Sequence, residues 1–175
     1  KDKTLLYLFQ NIGKYLPNIS VPLFVDQIRE DTKTVVIKGE EDLFNKHLKK
    51  RKSEGTRVNI NLIGEVVLGE EEASERMEKY LKAISNPNVD YLSVKISTIF
   101  SQINPLDFDN TVNILVEKLS KIYAHAQKFP YYKADGTQEN KFINLDMEEY
   151  RDLAITVEVF KQTLEKPEFK NFYAG

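Results

Sequence analysis

The chain has 175 residues, of which 41% are hydrophobic and 30% charged, a composition typical of a globular protein with one domain. Its net charge of −2 gives no electrostatic reason to expect nucleic acid or an anionic membrane as a partner. The absence of cysteine excludes disulfides, thiolate metal sites and a cysteine nucleophile. No apolar run approaches the ~18 residues of a membrane span, and two isolated histidines do not make a metal site.

Residues 1–40 are predicted to form a leading helical arm or connector. Apolar residues at helical spacing indicate one helix face near the start, and Pro17 is expected to close that helix. Two later apolar runs, 21–25 and 34–37, leave strand, helix and connector open. The residues of the first helical face are Leu5, Leu8, Phe9, Ile12 and Leu16.

A strand followed by a helix is predicted three times after an initial helix from about Glu41 to Lys52. The first repeat has a helix from Glu70 to Ile84, and Asp109 is expected to cap the long helix of the second. Three such repeats predict a parallel α/β sheet. The predicted strands are 57–63, 91–97 and 142–148, and the apolar face of the third helix is Leu153, Val157, Phe160 and Leu164.

Polar and apolar residues alternate along all three predicted strands, so each strand has one polar face. A closed barrel with an outer ring of helices accommodates this, because the polar faces then line the interior. Lys95, Asp146 and Glu148 would lie near the carboxyl ends of the strands, where barrel active sites occur. The alternative is an antiparallel sheet with one face in solvent. The polar positions are Asn59, Asn61, Glu65, Ser93, Lys95, Ser97, Asn144, Asp146 and Glu148.

Lys95 and Asp146 are the most informative charged residues, because they fall on neighbouring strands of the same face. Their ammonium and carboxylate groups can pair with each other, or they can bind a substrate that carries its own carboxylate and amine. A buried charge is costly without a partner, so one of these arrangements is required. The residue types alone leave a structural ion pair and a ligand site open.

Three short motifs around these residues resemble, in order and spacing, the first three barrel strands of the proline dehydrogenase family. The motifs are Leu62–Glu65 (LIGE), Ser93–Ser97 (SVKIS) and Asn144–Glu149 (NLDMEE). The resemblance runs from about Glu41 to Gly175. It is closest to the bacterial forms in which this domain is joined to a pyrroline-5-carboxylate dehydrogenase. We therefore expect an amino-terminal piece of a (β/α)8 barrel, about three βα units preceded by helices.

The resemblance implies FAD-dependent oxidation of L-proline to Δ1-pyrroline-5-carboxylate, with a membrane quinone reoxidising the flavin. It implies a cytoplasmic protein that works at the inner face of the membrane. Lys95 matches the lysine that holds the proline carboxylate, and Asp146 the aspartate beside substrate and flavin. Met147 matches a position whose backbone lies near the flavin. Glu65 matches a glutamate that orients a substrate-binding arginine, and Asn61 stands where some members carry aspartate.

Several family motifs that contact flavin and proline are missing from the 175 residues, so we expect the chain alone neither to bind FAD tightly nor to oxidise proline. The sequence also lacks G-x-G-x-x-G, which agrees with a flavin bound by barrel loops. Two other functions stay open. One is a different flavin-dependent barrel oxidoreductase, such as a relative of methylenetetrahydrofolate reductase. The other is a non-catalytic module in which residues 1–40 dock against another domain or subunit.

Overall fold

The structure, a computed structural model, describes residues 7, 10–11, 15–33, 35–37, 39–64, 66–133 and 135–175. The chain divides into two compact units, Lys1–Lys46 and His47–Gly175. None of the helices in these described ranges has the length and apolar character needed to cross a membrane. Most of the first predicted helical face lies outside the described residues, so its prediction stays untested.

The unit Lys1–Lys46 contains helix α1 (Pro17–Thr32), so the open interpretation of the run 21–25 is decided in favour of a helix. Pro17 is the first residue of α1, and the earlier helix that it was predicted to close lies mostly outside the described residues, so that prediction stays untested. Proline suits this position because its φ is already helical. The N–H that it lacks would have no acceptor within the first turn of the helix. Residues 35–37 lie in neither helix nor strand.

Beyond α1, the elements follow the predicted alternation of strand and helix. Their bounds are α2 (Glu41–Ser53), β1 (Asn59–Asn61), α3 (Glu70–Ser85), β2 (Tyr91–Val94), α4 (Ile96–Ile99), α5 (Phe108–Lys128), β3 (Tyr131–Tyr132), β4 (Gln138–Glu139), β5 (Phe142–Leu145) and α6 (Leu153–Glu165). Strands β3 and β4 form a short antiparallel hairpin, and Gly136 provides the positive φ of 83° that its turn requires.

Strands β1, β2 and β5 form a parallel sheet in that order. The antiparallel alternative is therefore wrong for these three strands. Ala174 adds a parallel bridge to Ile143, so the sheet continues past β5. All three strands are shorter than predicted, since the chain leaves the sheet after Asn61, Val94 and Leu145.

The outer layer of helices packs against one face of the sheet. Ile60, Leu92 and Ile143, each on a different strand, are at most 6% exposed and face this layer, as the alternation predicted. Helix α5 contributes the largest set of buried residues, Thr111, Val112, Leu115, Val116, Leu119, Ile122, Tyr123 and Ala126. The ring of Tyr123 stacks on Phe172 at 4.2 Å between centroids, which ties the last residues of the chain to α5.

The predicted apolar face of α6 is wrong. Its buried residues are Ile155, Thr156, Val159 and Thr163, whereas Leu153 and Val157 are 37% and 47% exposed. The helix has apolar residues on two faces, and the buried face was overlooked because it includes two threonines. Their hydroxyls donate to the carbonyls of Asp152 (2.8 Å) and Val159 (2.7 Å), which satisfies them without water.

The start of α5 also differs from its prediction. Asp109 lies in the first turn of the helix and is not its cap. The side chain of Asn104 instead accepts a hydrogen bond from the backbone N–H of Leu106 and begins a short 3-10 turn, Pro105–Asp107. This turn leads directly into α5, so the capping interaction lies four residues before the helix.

Lys141 is 1% exposed and holds the end of α3 against the start of β5. Its ammonium donates to the carbonyls of Ile84 (2.5 Å) and Asn86 (2.6 Å), which the last turn of α3 leaves without helical partners. Burial lowers the pKa of Lys141 to about 8. Because the charge is removed from water, protonated Lys141 is less favourable in the folded chain than in the unfolded one.

The pKa of Lys141 predicts how stability changes with pH. The unfolded chain holds this proton up to about pH 10.4, the ordinary lysine pKa, whereas the folded chain releases it from about pH 8. The free energy of unfolding should therefore rise between these pH values, by an amount on the order of 3 kcal/mol from this group. Urea unfolding of a Lys141→Met variant should lack this rise. The exposed Lys121→Met serves as the control, and equal pH slopes for wild type and Lys141→Met would contradict the assignment.

Candidate active site

The face of the sheet opposite the helices carries a chain of side-chain hydrogen bonds. Asn59 on β1 donates to the Ser93 hydroxyl on β2 (2.9 Å), and Asn144 on β5 donates to the same oxygen (3.2 Å). The three side chains were predicted to share one polar face, and the structure places them together. We call them the polar ladder. It satisfies polar groups that would be costly to bury unpaired.

A second set of side chains lies one step closer to the carboxyl ends of the strands. Asn61 follows Asn59 by two residues and donates from Nδ2 to Oδ2 of Asp146 at 3.0 Å. The backbone N–H of Asp146 donates to the carbonyl of Val94 (2.9 Å), so Asp146 lies beside the residue that follows β2. That residue is Lys95, and the two sequence-predicted site residues are therefore neighbours.

Lys95 forms its ion pair with Glu148 and not with Asp146, within the part of the chain that the structure describes. The distance from Nζ to Oε1 is 2.6 Å. The Lys95 side chain is 10% exposed and that of Glu148 is 49% exposed, so one partner is almost buried and the other is open to solvent. The expected direct pairing of Lys95 with Asp146 is replaced by this arrangement, because each of the two already has another partner.

Glu148 is the candidate site residue whose partner the sequence did not reveal. It was placed on the polar face because it follows Asp146 by two residues, but alternation gives a direction and no partner. Residues 146–149 lie outside strand and helix, and this irregular backbone allows Glu148 to reach Lys95. A carboxylate two positions beyond a strand-end aspartate is the signal that points to it.

Two other predicted site residues have different outcomes. The Met147 side chain is 40% exposed at the same edge of the sheet, between Asp146 and Glu148. Glu65 lies outside the described residues, so its predicted role is untested. The edge thus presents one nearly buried ammonium, two carboxylates, an amide and an accessible thioether. Such a set suits a small zwitterionic ligand, whose carboxylate and amine need partners of opposite charge.

A cavity of about 600 Å³ lies at the other edge of the sheet, where the strands begin. Among the charged side chains that line it, Arg57 pairs with Asp90 at 2.8 Å and Lys133 pairs with Glu139. The carboxylate of Asp90 raises the pKa of Arg57 through a hydrogen bond. These groups already have partners, and the beginnings of barrel strands carry stability and not catalysis. We therefore place the candidate site at the carboxyl edge.

Comparison with known proteins identifies the fold to which the sheet and its helices belong. Proline utilization A (PutA) from Corynebacterium freiburgense matches 95% of this chain and 16% of its own, with 34% identity and a TM-score of 0.73. PutA from Bdellovibrio bacteriovorus, inactivated by N-propargylglycine, matches 92% of this chain and 18% of its own. Its identity is 24% and its TM-score 0.75, so it informs on the fold alone. The chain spans less than a fifth of either protein.

The sheet and its helices are thus part of a (β/α)8 barrel, as predicted. No curated protein sequence matches the chain. The sequence model of the proline dehydrogenase family matches residues 44–174, which include both the polar ladder and the carboxyl-edge charges. This match covers most of the chain. It decides against the alternative of an unrelated flavin-dependent barrel, and the chain belongs to the proline dehydrogenase family.

Proposed function

We propose that the complete protein oxidises L-proline to Δ1-pyrroline-5-carboxylate, with FAD as the hydride acceptor. The observation that carries the proposal is the charge arrangement at the carboxyl edge: the nearly buried Lys95 ammonium, its half-exposed partner Glu148, and Asp146 alongside. Membership in the proline dehydrogenase family supports the identity of the substrate. The matched Corynebacterium protein is a proline utilization protein by name, which agrees with it.

Lys95 is the group we propose for binding the proline carboxylate. Its present partner is itself a carboxylate, and Glu148 is open enough to solvent to be displaced. A substrate carboxylate would replace one charge-assisted hydrogen bond with another, so the ammonium never loses a partner. An ammonium left without any partner here would be strongly unfavourable, because it is held away from water. Glu148 therefore stands in for the substrate when the site holds none.

Asp146 is the group we propose for the amine end of proline. Oxidation removes a hydride from the carbon beside the ring nitrogen and a proton from the nitrogen, leaving a C=N bond. A fixed carboxylate next to the nitrogen stabilises the positive charge that develops as the hydride leaves. Asn61 holds that carboxylate in place through its 3.0 Å hydrogen bond. Lys95 and Asp146 together orient the ring through its two charged ends.

The residues present fit a flavin on one side. The accessible Met147 thioether offers an apolar, polarisable contact of the kind that suits a flat aromatic ring. We propose that Asp146 and the Met147 backbone lie against FAD, which when bound accepts the hydride. Because the matched proteins extend far beyond this chain, we also propose that the chain alone neither binds FAD tightly nor turns over proline.

The remaining parts of the functional assignment are likewise proposals. Glu65 would orient a substrate-binding arginine from elsewhere in the barrel. The reduced flavin would pass its electrons to a membrane quinone, and the protein would be cytoplasmic and act at the inner face of the membrane. The greater length of the matched proteins leaves room for a fused pyrroline-5-carboxylate dehydrogenase domain. Residues 41–175 would form the first part of the barrel, with 1–40 as a helical arm that docks on another domain or subunit.

The direct test is the visible absorption spectrum of the complete protein, recorded before and after L-proline is added without oxygen. We expect a flavin band that L-proline bleaches, because the hydride moves from substrate to cofactor. D-Proline is the matched control, since it presents the same groups in the opposite hand. A flavin that L-proline leaves oxidised, while dithionite reduces it, would remove proline oxidation as the function.

Removing the Lys95 charge tests its role in substrate binding. Lys95→Met keeps most of the side-chain volume, and we expect kcat/KM for L-proline to fall about 30-fold or more, since a hydrogen bond to a charged group contributes about 2 kcal/mol. Lys118→Met is the control: Lys118 also forms a 3.0 Å ion pair with a glutamate, but from helix α5. Steady-state kinetics in which both variants lose the same activity would contradict the proposed contact.

The hydrogen bond from Asn61 to Asp146 gives a second kinetic prediction. Asn61→Ala removes the donor, and we expect kcat/KM to fall about tenfold, the effect of one hydrogen bond. Asn59→Ala is the control, since Asn59 lies on the same strand and face but bonds to Ser93. An Asn61→Ala variant with the same kinetics as Asn59→Ala would refute the positioning role.

A further inference from the structure

A closed ring of hydrogen bonds surrounds the backbone of Lys95, beneath the candidate site. The backbone N–H of Lys95 lies 3.5 Å from the Tyr80 hydroxyl, and that hydroxyl lies 2.9 Å from Oγ1 of Thr98. The Thr98 hydroxyl lies 2.8 Å from the backbone carbonyl of Lys95, which completes the ring. Tyr80 comes from α3 and Thr98 from α4, so the ring joins two helices to the end of β2.

The direction of each hydrogen bond follows from the two backbone groups. The N–H of Lys95 donates, so the Tyr80 oxygen accepts from it. The carbonyl of Lys95 accepts, so the single Thr98 hydroxyl proton is used there. The bond between the two hydroxyls then has one possible donor, which is Tyr80. Every proton in the ring has an acceptor, and each hydroxyl both donates and accepts.

The ring lies in the core, where removing one hydroxyl leaves its hydrogen-bond partner unsatisfied. Tyr80 and Thr98 are each 1% exposed, so water cannot replace either hydroxyl without opening the packing. The backbone changes from strand to helix at this point, since Lys95 is extended and Ile96 begins α4. The backbone of Lys95 is therefore fixed on both sides of its Cα. The direction in which its side chain leaves the sheet is fixed with it.

We propose that Tyr80 and Thr98 are positioning residues that aim the Lys95 ammonium at the substrate carboxylate. Neither residue touches the substrate; they act through the backbone of Lys95. The inference rests on the proposed function, because it assigns them an effect on the binding of proline. It distinguishes them from other buried hydroxyls, such as that of Thr163, which donates to the carbonyl of Val159 on α6.

Variants of Thr98 in the complete protein test the inference. Thr98→Val has nearly the same shape without the hydroxyl, Thr98→Ser keeps the hydroxyl, and Tyr80→Phe removes the other member of the ring. Thr163→Val is the matched control, because it removes an equally buried threonine hydroxyl from a helix away from Lys95. Thermal unfolding of each variant reports its stability separately from its binding.

The informative ligands are cyclopentanecarboxylate and its neutral amide, titrated by calorimetry. We expect Thr98→Val and Tyr80→Phe to weaken binding of the carboxylate about tenfold while binding of the amide stays the same, and KM for L-proline to rise by a similar factor. Thr98→Ser should restore wild-type binding, and Thr163→Val should lose stability without losing carboxylate selectivity.

The outcomes separate this inference from the proposed function. If wild-type protein oxidises proline but Thr98→Val keeps the selectivity of Thr163→Val, the positioning role is wrong and the function stands. If Thr98→Ser fails to restore selectivity, the hydroxyl ring is likewise not the cause. If wild-type protein leaves proline unoxidised and does not distinguish the carboxylate from the amide, the proposed function fails first and the inference fails with it.

Discussion

The parallel hydrogen bonding of β1, β2 and β5 brings the carboxyl ends of all three strands to one edge. Side chains alternate along each strand, so Asn61, Lys95 and Asp146 arrive on the same face at that edge. No one of the three strands supplies the cluster alone. The charges are neighbours because the strands run in the same direction, and an antiparallel pairing would have placed them at opposite edges.

The polar ladder below this edge makes the charge cluster compatible with a folded barrel. Polar side chains inside a barrel must find partners, and Asn59, Ser93 and Asn144 find them in one another. These hydrogen bonds order the side chains next to Asn61 and Asp146. The site lies next to this ordered internal network, and within the site Asn61 donates a hydrogen bond to Asp146.

Periodicity predicted the elements that are long or strongly alternating. It failed where a side-chain hydrogen bond changes the secondary structure. Helix α3 and the two faces of the sheet follow from spacing alone. The end of β2 does not, since alternation continues through Ser97 while the chain has already turned into α4. The Thr98 hydroxyl bonds the carbonyl of Lys95 and favours that turn, and spacing carries no trace of such a bond.

The hydrogen-bond partners within the site could not be predicted from the sequence either. It identified Lys95 and Asp146, but not that Glu148 would pair with the lysine and Asn61 with the aspartate. A face assignment gives direction, whereas a partner depends on where irregular backbone such as residues 146–149 leads. Tyr80 is a core residue of α3. Its hydroxyl acts beneath the site only because α3 packs under the end of β2.

The central claim is that substrate carboxylate replaces Glu148 as the partner of Lys95. A crystal structure of the complete protein with cyclopentanecarboxylate, an unreactive analogue of proline, tests it most directly. We predict a ligand oxygen at about 2.8 Å from Nζ of Lys95, the length of a charge-assisted hydrogen bond, with Glu148 moved away into solvent. A ligand bound elsewhere in the barrel, with the Lys95–Glu148 pair intact, would contradict the account.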